Sequence, residues 1–283
     1  MENLYIGSCS WKYPSWEKLV YSSREPTDFL AEYAQKYRSV EIDQWFWSLG
    51  KSSYGLPDRA TVAQYNASTP SDFRFTIKCP NTLTVPYAYK SGTEPNPWFL
   101  DREVFSRFLD TLEGLLPKIG LFIFQFEYLN KEKMESREKF LAELDAFFNS
   151  LPPSLPYGCE IRNPRWLDAF WFDFLRSHHI GPVLLQGYWM DDISQVLQRY
   201  ANRIGPVACI RLHGDDRKGI EQETGGDWSK IVTPRDEELE RIAAYVSKLA
   251  ETATALYINV NSHYEGSAPL TIAKLQLLLE QQQ

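Results

Sequence analysis

The feature that most constrains this chain is the alternation of short apolar runs with longer amphipathic segments along its 283 residues. The short runs are rich in Val, Ile, Leu and Phe, which is typical of strands buried on both faces of a parallel sheet. This pattern predicts eight strands, at residues 4–9, 39–43, 73–78, 120–126, 157–162, 182–186, 207–213 and 255–261.

The segments between these runs carry helix signals. Ser136 is placed to cap the helix after the fourth run, and Thr233-Pro234 offers a cap and a first-turn proline for the seventh. Asn163-Pro164 predicts the end of the fifth strand, because the residue before a proline disfavours helical backbone. Helices are predicted at residues 27–37, 59–66, 101–115, 136–150, 165–178, 193–201, 234–250 and 268–280.

Eight strand–helix units predict an α/β fold with a parallel sheet, and eight is the number that closes a barrel. An open nucleotide-binding sheet would need a G-x-G-x-x-G turn after the first strand, and Gly7-Ser8-Cys9-Ser10 lacks that spacing. We therefore predict a single (β/α)8 TIM-like barrel domain over residues 1–283. Its longest loops, at residues 80–97 and 214–233, are the predicted lids.

Charge and composition limit the expected partners. The net charge is −7 and there is no Lys/Arg-rich run, so nucleic acid is not an expected partner. No apolar run reaches the ~18 residues of a membrane span, and the first residues do not resemble a signal peptide, so no membrane partner is expected. The four cysteines form no C-x-x-C pair, which favours free thiols and a cytoplasmic location. The oligomeric state stays open.

Polar residues fall at the ends of nearly all the predicted strands, often at alternate positions. Residues two apart in a strand share a face, and the carboxyl ends of barrel strands meet at one mouth, where barrel enzymes place their sites. The sequence therefore predicts a polar pocket at that mouth, formed from Glu41, Asp43, Lys78, Gln125, Glu127, Glu160, Arg162, Gln186, Arg211, His213, Asn259 and Asn261.

The residue types in this set suggest roles. Glu41, Glu160 and His213 are candidate acid/base groups. Lys78 is a candidate catalytic amine, able to form a Schiff base if burial lowers its pKa, or an anion ligand. The remaining candidates bind substrate: Arg162 and Arg211 through an anion, Gln125, Asn259 and Asn261 through hydrogen bonds, and Trp11 and Tyr13 by stacking on a ring.

Plainer alternatives remain for each group. Charged side chains inside a barrel also occur as compensated ion networks with no ligand. Trp11 and Tyr13 can equally pin their loop to the barrel through apolar contacts. A metal site built from Glu41, Glu160 and His213 is conceivable, but three neighbouring cations disfavour a divalent ion, so we predict no metal and no cofactor.

The chain resembles the YecE-like family, known as domain of unknown function 72, over nearly its whole length. The resemblance implies a TIM-like barrel and brings no established activity. The chain departs from the family pattern at Asp43, Val85 and Asn163, which leaves a shared substrate in question. The segments that carry it are residues 6–16 (IGSCSWKYPSW), 39–43 (SVEID), 73–78 (FRFTIK), 122–125 (FIFQ), 160–166 (EIRNPRW), 211–214 (RLHG) and 257–261 (YINVN).

Two functional hypotheses follow. The first is an enzyme that applies acid/base chemistry to a small anionic substrate carrying phosphate or carboxylate, with hydrolase, lyase and isomerase reactions all open. The second is a non-catalytic barrel that binds a ligand or a protein. Barrels host many unrelated functions, so the fold alone does not choose between them.

Overall fold

The computed structural model describes residues 2–87 and 94–282. Eight parallel strands form a closed barrel in which each strand pairs with its neighbours in chain order and the last returns to the first. The predicted (β/α)8 fold is therefore confirmed. The strands are β1 (Leu4–Ser8), β2 (Ser39–Ile42), β3 (Arg74–Lys78), β4 (Ile119–Gln125), β5 (Tyr157–Glu160), β6 (Ile180–Gly187), β7 (Val207–Gly214) and β8 (Ala255–Val260).

Helices follow the strands, as the alternation predicted. Short 3-10 turns interrupt several loops, and the segment predicted as one helix over residues 165–178 is a 3-10 turn followed by a separate α-helix. Within the described residues the α-helices are α1 (Phe29–Lys36), α2 (Arg59–Ala67), α3 (Asn81–Thr84), α4 (Arg102–Thr111), α5 (Arg137–Phe148), α6 (Ala169–Ser177), α7 (Ile193–Tyr200), α8 (Arg217–Thr224), α9 (Asp236–Thr252) and α10 (Ala268–Glu280).

Helix starts are set by side-chain caps more often than the sequence analysis anticipated. Ser136 accepts a hydrogen bond from the backbone N–H of Lys139, as predicted. The predicted cap at Thr233-Pro234 is wrong, because α9 begins two residues after the proline and has no side-chain cap. Three acidic residues in its first turn stabilise the positive end of the helix dipole instead.

The protein has two apolar cores, one outside the ring of strands and one inside it. The larger one lies between the barrel and its helices and includes Phe105, Phe124 and Trp171. A smaller, separate cluster lies inside the barrel, where Leu121, Val183, Cys209 and Tyr257 pack together. Because this inner cluster fills part of the barrel interior with apolar side chains, the polar side chains of the strands collect in a distinct layer.

The predicted lids contain regular structure. The loop at residues 80–97 begins with the short helix α3, whose four residues are all buried, and its residues 88–93 lie outside the described part of the chain. The loop at residues 214–233 contains α8, which ends at Gly225 in the left-handed conformation. Across residues 2–87 and 94–282, no helix is both long enough and apolar enough to span a membrane.

Candidate functional site

The polar strand ends meet inside the barrel, as the register of the strands requires. Paired residues on neighbouring strands lie at the same height, and the pairs include Glu41 with Thr76, Gln125 with Glu160, and Arg211 with Asn259. Six strands thus place polar side chains in one layer across the barrel.

Arg211 is the centre of this layer. Its Nε and Nη2 donate to the two carboxylate oxygens of Glu41 at 2.8 and 2.7 Å. Its Nη1 donates to Glu160 Oε2 at 2.6 Å and to Gln125 Oε1 at 3.1 Å. Glu160 also accepts from Nε of Arg162 at 3.0 Å. A continuous chain of alternating charges therefore runs from Glu41 to Arg162.

The charges in this layer compensate one another. Burial alone would raise the pKa of Glu160, but the guanidinium groups of Arg211 and Arg162 outweigh it and hold that pKa below its usual value. Burial alone would lower the pKa of Arg211, but Glu41 and Glu160 raise it well above its usual value. Arg211 and both glutamates are almost completely buried, so the layer is an ion network within the barrel.

Asn259 lies within this network and is fully buried. Its amide nitrogen donates to Glu41 Oε2 and to Thr76 Oγ1, both at 2.9 Å. Asn259 is therefore placed to hold Glu41 in position, and its side chain has no access to solvent.

Lys78 differs from the other cations. Its Nζ lies 3.9 Å from the centre of the Phe46 ring, yet among the residues described no carboxylate is within ion-pair distance of it and no hydrogen bond to it is present. Burial lowers the pKa of Lys78 to about 8, and the positive charge of Arg211 acts in the same direction. The negative charges of Glu41, Glu160 and Asp43 oppose this shift but do not cancel it. Lys78 is only 8 % exposed, yet its ammonium group has no carboxylate within ion-pair distance in the described part of the chain.

His213 is the proton-transfer candidate in the same mouth. Its Nε2 lies 3.6 Å from Cys9 Sγ, and its ring centre is 5.9 Å from that of Tyr188. Burial, followed by the positive charges of Arg211 and Arg162, holds the pKa of His213 well below its usual value. Since a neutral imidazole carries a free lone pair, His213 can accept a proton at neutral pH.

Two further side chains shape the proton chemistry of the mouth. Burial, and next the charge of Glu41, raise the pKa of Asp43 above its usual value. Burial, and next Glu41, raise the pKa of the Cys9 thiol well above its usual value, so this thiol is protonated at neutral pH. Neither residue was assigned a role from the sequence, because the charge around it is decided by distant strands.

Arg162 and Asn261 complete the predicted set. The guanidinium of Arg162 lies 5.2 Å from the Tyr188 ring centre, and its side chain is 18 % exposed. The amide oxygen of Asn261 is engaged by His263, accepting its backbone N–H at 2.9 Å and lying 2.5 Å from its ring Nδ1. Only the amide nitrogen of Asn261 is left for a ligand.

Some of the predicted residues point away from the mouth. Gln186 faces the helices, where it donates to Glu238 and accepts from the backbone N–H of Ile193, so its predicted place in the pocket is wrong. Trp11 is buried, and its ring centre lies 5.0 Å from that of Tyr65. This contact agrees with the alternative in which Trp11 pins its loop to the barrel.

Tyr13 and Glu127 are also held by local contacts. The Tyr13 ring packs 4.5 Å from that of Trp16 and 6.5 Å from that of Trp228. Glu127 forms an ion pair with Lys133 in its own loop.

No metal centre is evident in the described residues. Among residues 2–87 and 94–282, no three His, Cys, Asp or Glu side chains are grouped so that they could hold an ion. The alternative metal set of Glu41, Glu160 and His213 is therefore not assembled, because Arg211 binds both carboxylates.

A closed barrel of eight parallel strands, with a polar network near their carboxyl ends, defines a (β/α)8 or TIM-barrel protein. The chain belongs to the family described as "Protein of unknown function DUF72", whose model matches residues 5–283. This confirms the resemblance found in the sequence.

Individual relatives agree with this assignment. The chain is 29 % identical to the UPF0759 protein YecE of Escherichia coli strain K12 over 163 residues, which are 58 % of this chain. It spans about half the length of that relative (50 %).

Solved structures show the same fold. A DUF72 family protein from Enterococcus faecalis matches with a TM-score of 0.71 at 19 % identity, covering 98 % of this chain and 95 % of that protein. One from Thermotoga maritima matches with a TM-score of 0.68 at 20 % identity, covering 98 % and 99 %. At these identities the likeness concerns the fold alone.

Proposed function

We propose that this protein is an enzyme that binds a small anionic substrate at the barrel mouth and acts on it by acid/base chemistry. The observation that carries the proposal is Lys78, a buried ammonium group with no counterion among the described residues. A buried charge is costly unless it is paired, so a phosphate or carboxylate from a ligand would stabilise it.

The neighbouring residues support this chemistry. Arg162 uses its Nε on Glu160 and keeps further N–H donors, and its charge acts on His213 together with that of Lys78. A guanidinium binds oxyanions through paired hydrogen bonds. Lys78 and His213 are each only 8 % exposed, so the anionic end of the substrate must be small. Gln125, 6 % exposed, is placed to contact it while its oxygen holds Arg211.

Proton transfer is assigned to His213 and Asp43. His213, neutral because of its lowered pKa, would accept a proton, and the imidazolium so formed, acidic for the same reason, would return it. Asp43, whose pKa burial raises, is the carboxyl group proposed to assist this transfer. Glu41 and Glu160 are bound to Arg211, so in this proposal they are positioning residues that hold the cations in place. Asn261 would orient the substrate through its amide nitrogen.

The test uses inorganic phosphate and citrate as probes. At one hundred times its dissociation constant, a bound anion should stabilise the protein by about 2.7 kcal/mol, which raises the melting temperature by roughly 5 °C. Lys78→Met should abolish this shift, and the matched variant Lys248→Met, on the outer helix α9, should keep it. If Lys78→Met still binds both anions like the wild type, the proposed site is wrong.

A non-catalytic binding barrel is the second candidate, favoured by the exposed aromatic rings of Tyr128 and Trp189 in the loops after β4 and β6. Incubation with a panel of phosphate esters and carboxylates, followed by mass spectrometry, separates the two. A stabilising ligand that is recovered unchanged supports binding alone. A converted ligand, with conversion lost in His213→Asn, supports the enzyme.

A further inference from the structure

A groove of about 1360 Å³ lies in the loops that follow β4, β5 and β6. The β4 loop contributes Tyr128 and Lys131, the β5 loop contributes Asn163, and the β6 loop contributes Trp189 and Asp191. Its volume exceeds that of ordinary small-molecule pockets, which are about 300–1,000 Å³. The groove is therefore large enough for a ring-sized ligand and its substituents.

The walls of the groove are held in place by hydrogen bonds. The amide of Asn163 joins the β5 and β4 loops, because it accepts from the N–H of Leu129 and donates to its carbonyl oxygen, both at 2.9 Å. Arg137 joins α5 to Asp168 through two hydrogen bonds of 2.7 Å. A rigid, preformed wall lowers the entropy cost of binding a ligand.

Trp189 presents an indole face to this groove. Its Nε1 donates to the backbone oxygen of Arg162 at 3.2 Å, which anchors one edge of the ring, while 56 % of the residue is exposed. Tyr128, on the β4 loop across the β5 loop, is 48 % exposed. Exposed aromatic faces with fixed orientation are good platforms for a flat or puckered ring.

The ring of Tyr188 bridges Trp189, in the wall of the groove, and His213, in the mouth. The ring centre of Tyr188 is 5.8 Å from that of Trp189 on one side and 5.9 Å from that of His213 on the other. The guanidinium of Arg162 lies over the same ring. A ligand held by the free N–H groups of Arg162 would therefore have Trp189, which bonds to the Arg162 backbone, within reach of its far end.

The backbone at this junction is strained. Tyr188 adopts a φ of 55°, which is uncommon for a residue with a side chain, and its N–H donates to the carbonyl oxygen of Gly214 at 3.0 Å. Strained backbone of this kind persists only where the surrounding structure holds it, and it concentrates at ligand sites. Here it directs the Tyr188 ring between His213 and Trp189.

We propose that this groove is a second subsite, which binds the sugar ring of a substrate whose phosphate or carboxylate group lies on Lys78 and Arg162. This inference rests on the proposed function and names its substrate class, an anionic sugar. A sugar ring has an apolar face that fits an indole and hydroxyl groups that need both donors and acceptors. In the groove, Lys131 and Asp191 supply these groups, and in the described part of the chain neither side chain has a partner.

The experiment compares five probes by isothermal titration calorimetry: inorganic phosphate, the 6-phosphates of glucose, galactose and mannose, and adenosine 5′-monophosphate. We expect at least one hexose phosphate to bind about tenfold more tightly than phosphate, since a well-packed aromatic contact contributes more than ~1 kcal/mol. Trp189→Ala should remove this gain and leave phosphate binding unchanged. Trp189→Phe, which keeps an aromatic face, should restore most of it.

The matched control is Phe170→Ala, which removes an equally exposed aromatic ring (58 %) on α6 that does not line the groove. It should not alter the affinity for hexose phosphates. If phosphate binds but no hexose phosphate binds more tightly, the sugar subsite is wrong and the anion site stands. If neither phosphate nor citrate binds, the proposed function fails. Tight binding of adenosine 5′-monophosphate alone, dependent on Trp189, would overturn the assignment to a sugar.

Discussion

Replacing Arg211 with methionine tests the ion network directly. Arg211→Met removes the only cation that contacts Glu41 in the described residues, while Glu160 keeps its bond to Arg162. Breaking a buried ion pair from one side costs about 3–5 kcal/mol, because it leaves a charge buried without a partner. We expect a loss of that size in the free energy of unfolding at pH 8.

The loss should depend on pH with a definite sign. Without Arg211, the carboxylate of Glu41 is buried with no cation in contact, so the folded variant prefers the protonated acid more than the unfolded chain does, in which a glutamate ionises near about pH 4.3. The penalty is therefore absent below about pH 4.3 and grows by about 1.4 kcal/mol per pH unit until the folded pKa is reached. In the wild type, the lowered pKa of Glu160 works in the opposite sense, since its stabilisation is lost only as the pH falls below about 4.3.

Urea denaturation at pH 5.5, 6.5 and 7.5 measures this difference, above the range in which Glu160 titrates. Arg211→Met combined with Glu41→Gln should reduce the pH dependence and recover part of the loss, because one buried charge is gone while Glu160 keeps its bond to Arg162. Arg217→Met, which removes an exposed ion pair with Glu221, should change stability by less than about 1 kcal/mol at every pH. A penalty for Arg211→Met that is the same at pH 5.5 and 7.5 would refute the reasoning.

Three further predictions concern binding, backbone and thiols. Because the pKa of Lys78 is about 8, phosphate affinity should fall as the pH rises from 7 to 9, and titration calorimetry showing constant affinity over that range would contradict its role. Gly187→Ala should destabilise the protein by roughly 3 kcal/mol or more in urea denaturation, since Gly187 has a φ of 130° and an added Cβ would lie 2.2 Å from the carbonyl oxygen of Gly214. Unchanged stability would mean that the junction of β6 and β7 is loose. A thiol-specific dye should label none of the four buried cysteines in the native protein, because burial raises their pKa values, and all four in denaturant. Fast labelling of Cys9 alone would show that the mouth is more open than the structure indicates.

Much of the fold could be predicted because its signals are local. The alternation of apolar runs located all eight strands to within a few residues, and α10 was predicted with its observed bounds, Ala268–Glu280. The errors fall where a local signal competes with tertiary contacts. Thr233-Pro234 has the composition of a helix start, yet α9 begins at Asp236 while the backbone N–H groups of Val232 and Thr233 are bound by the carbonyl oxygen of Glu265.

The candidate site was predictable only in part. Alternating positions correctly placed Glu41, Arg211 and Glu160 inside one barrel, since side chains alternate between the faces of a strand. The same rule did not show that Gln186 points outward, because the bounds and register of β6 are decided by its neighbours. It also could not show that Tyr188 and Trp189 connect the mouth to a groove.

The sequence by itself thus determined the architecture and which residue types reach the carboxyl ends of the strands, because both depend on spacing along the chain. Only the tertiary structure decided what those residues do to one another. Arg211 contacts Glu41 across 170 residues of sequence and Glu160 across 51, and these contacts turn two candidate acid/base groups into partners of a buried guanidinium. Lys78 is left without such a partner among the described residues, which makes the polar mouth a candidate site for an anion. The sequence could not show this, because charge compensation depends on distances in space.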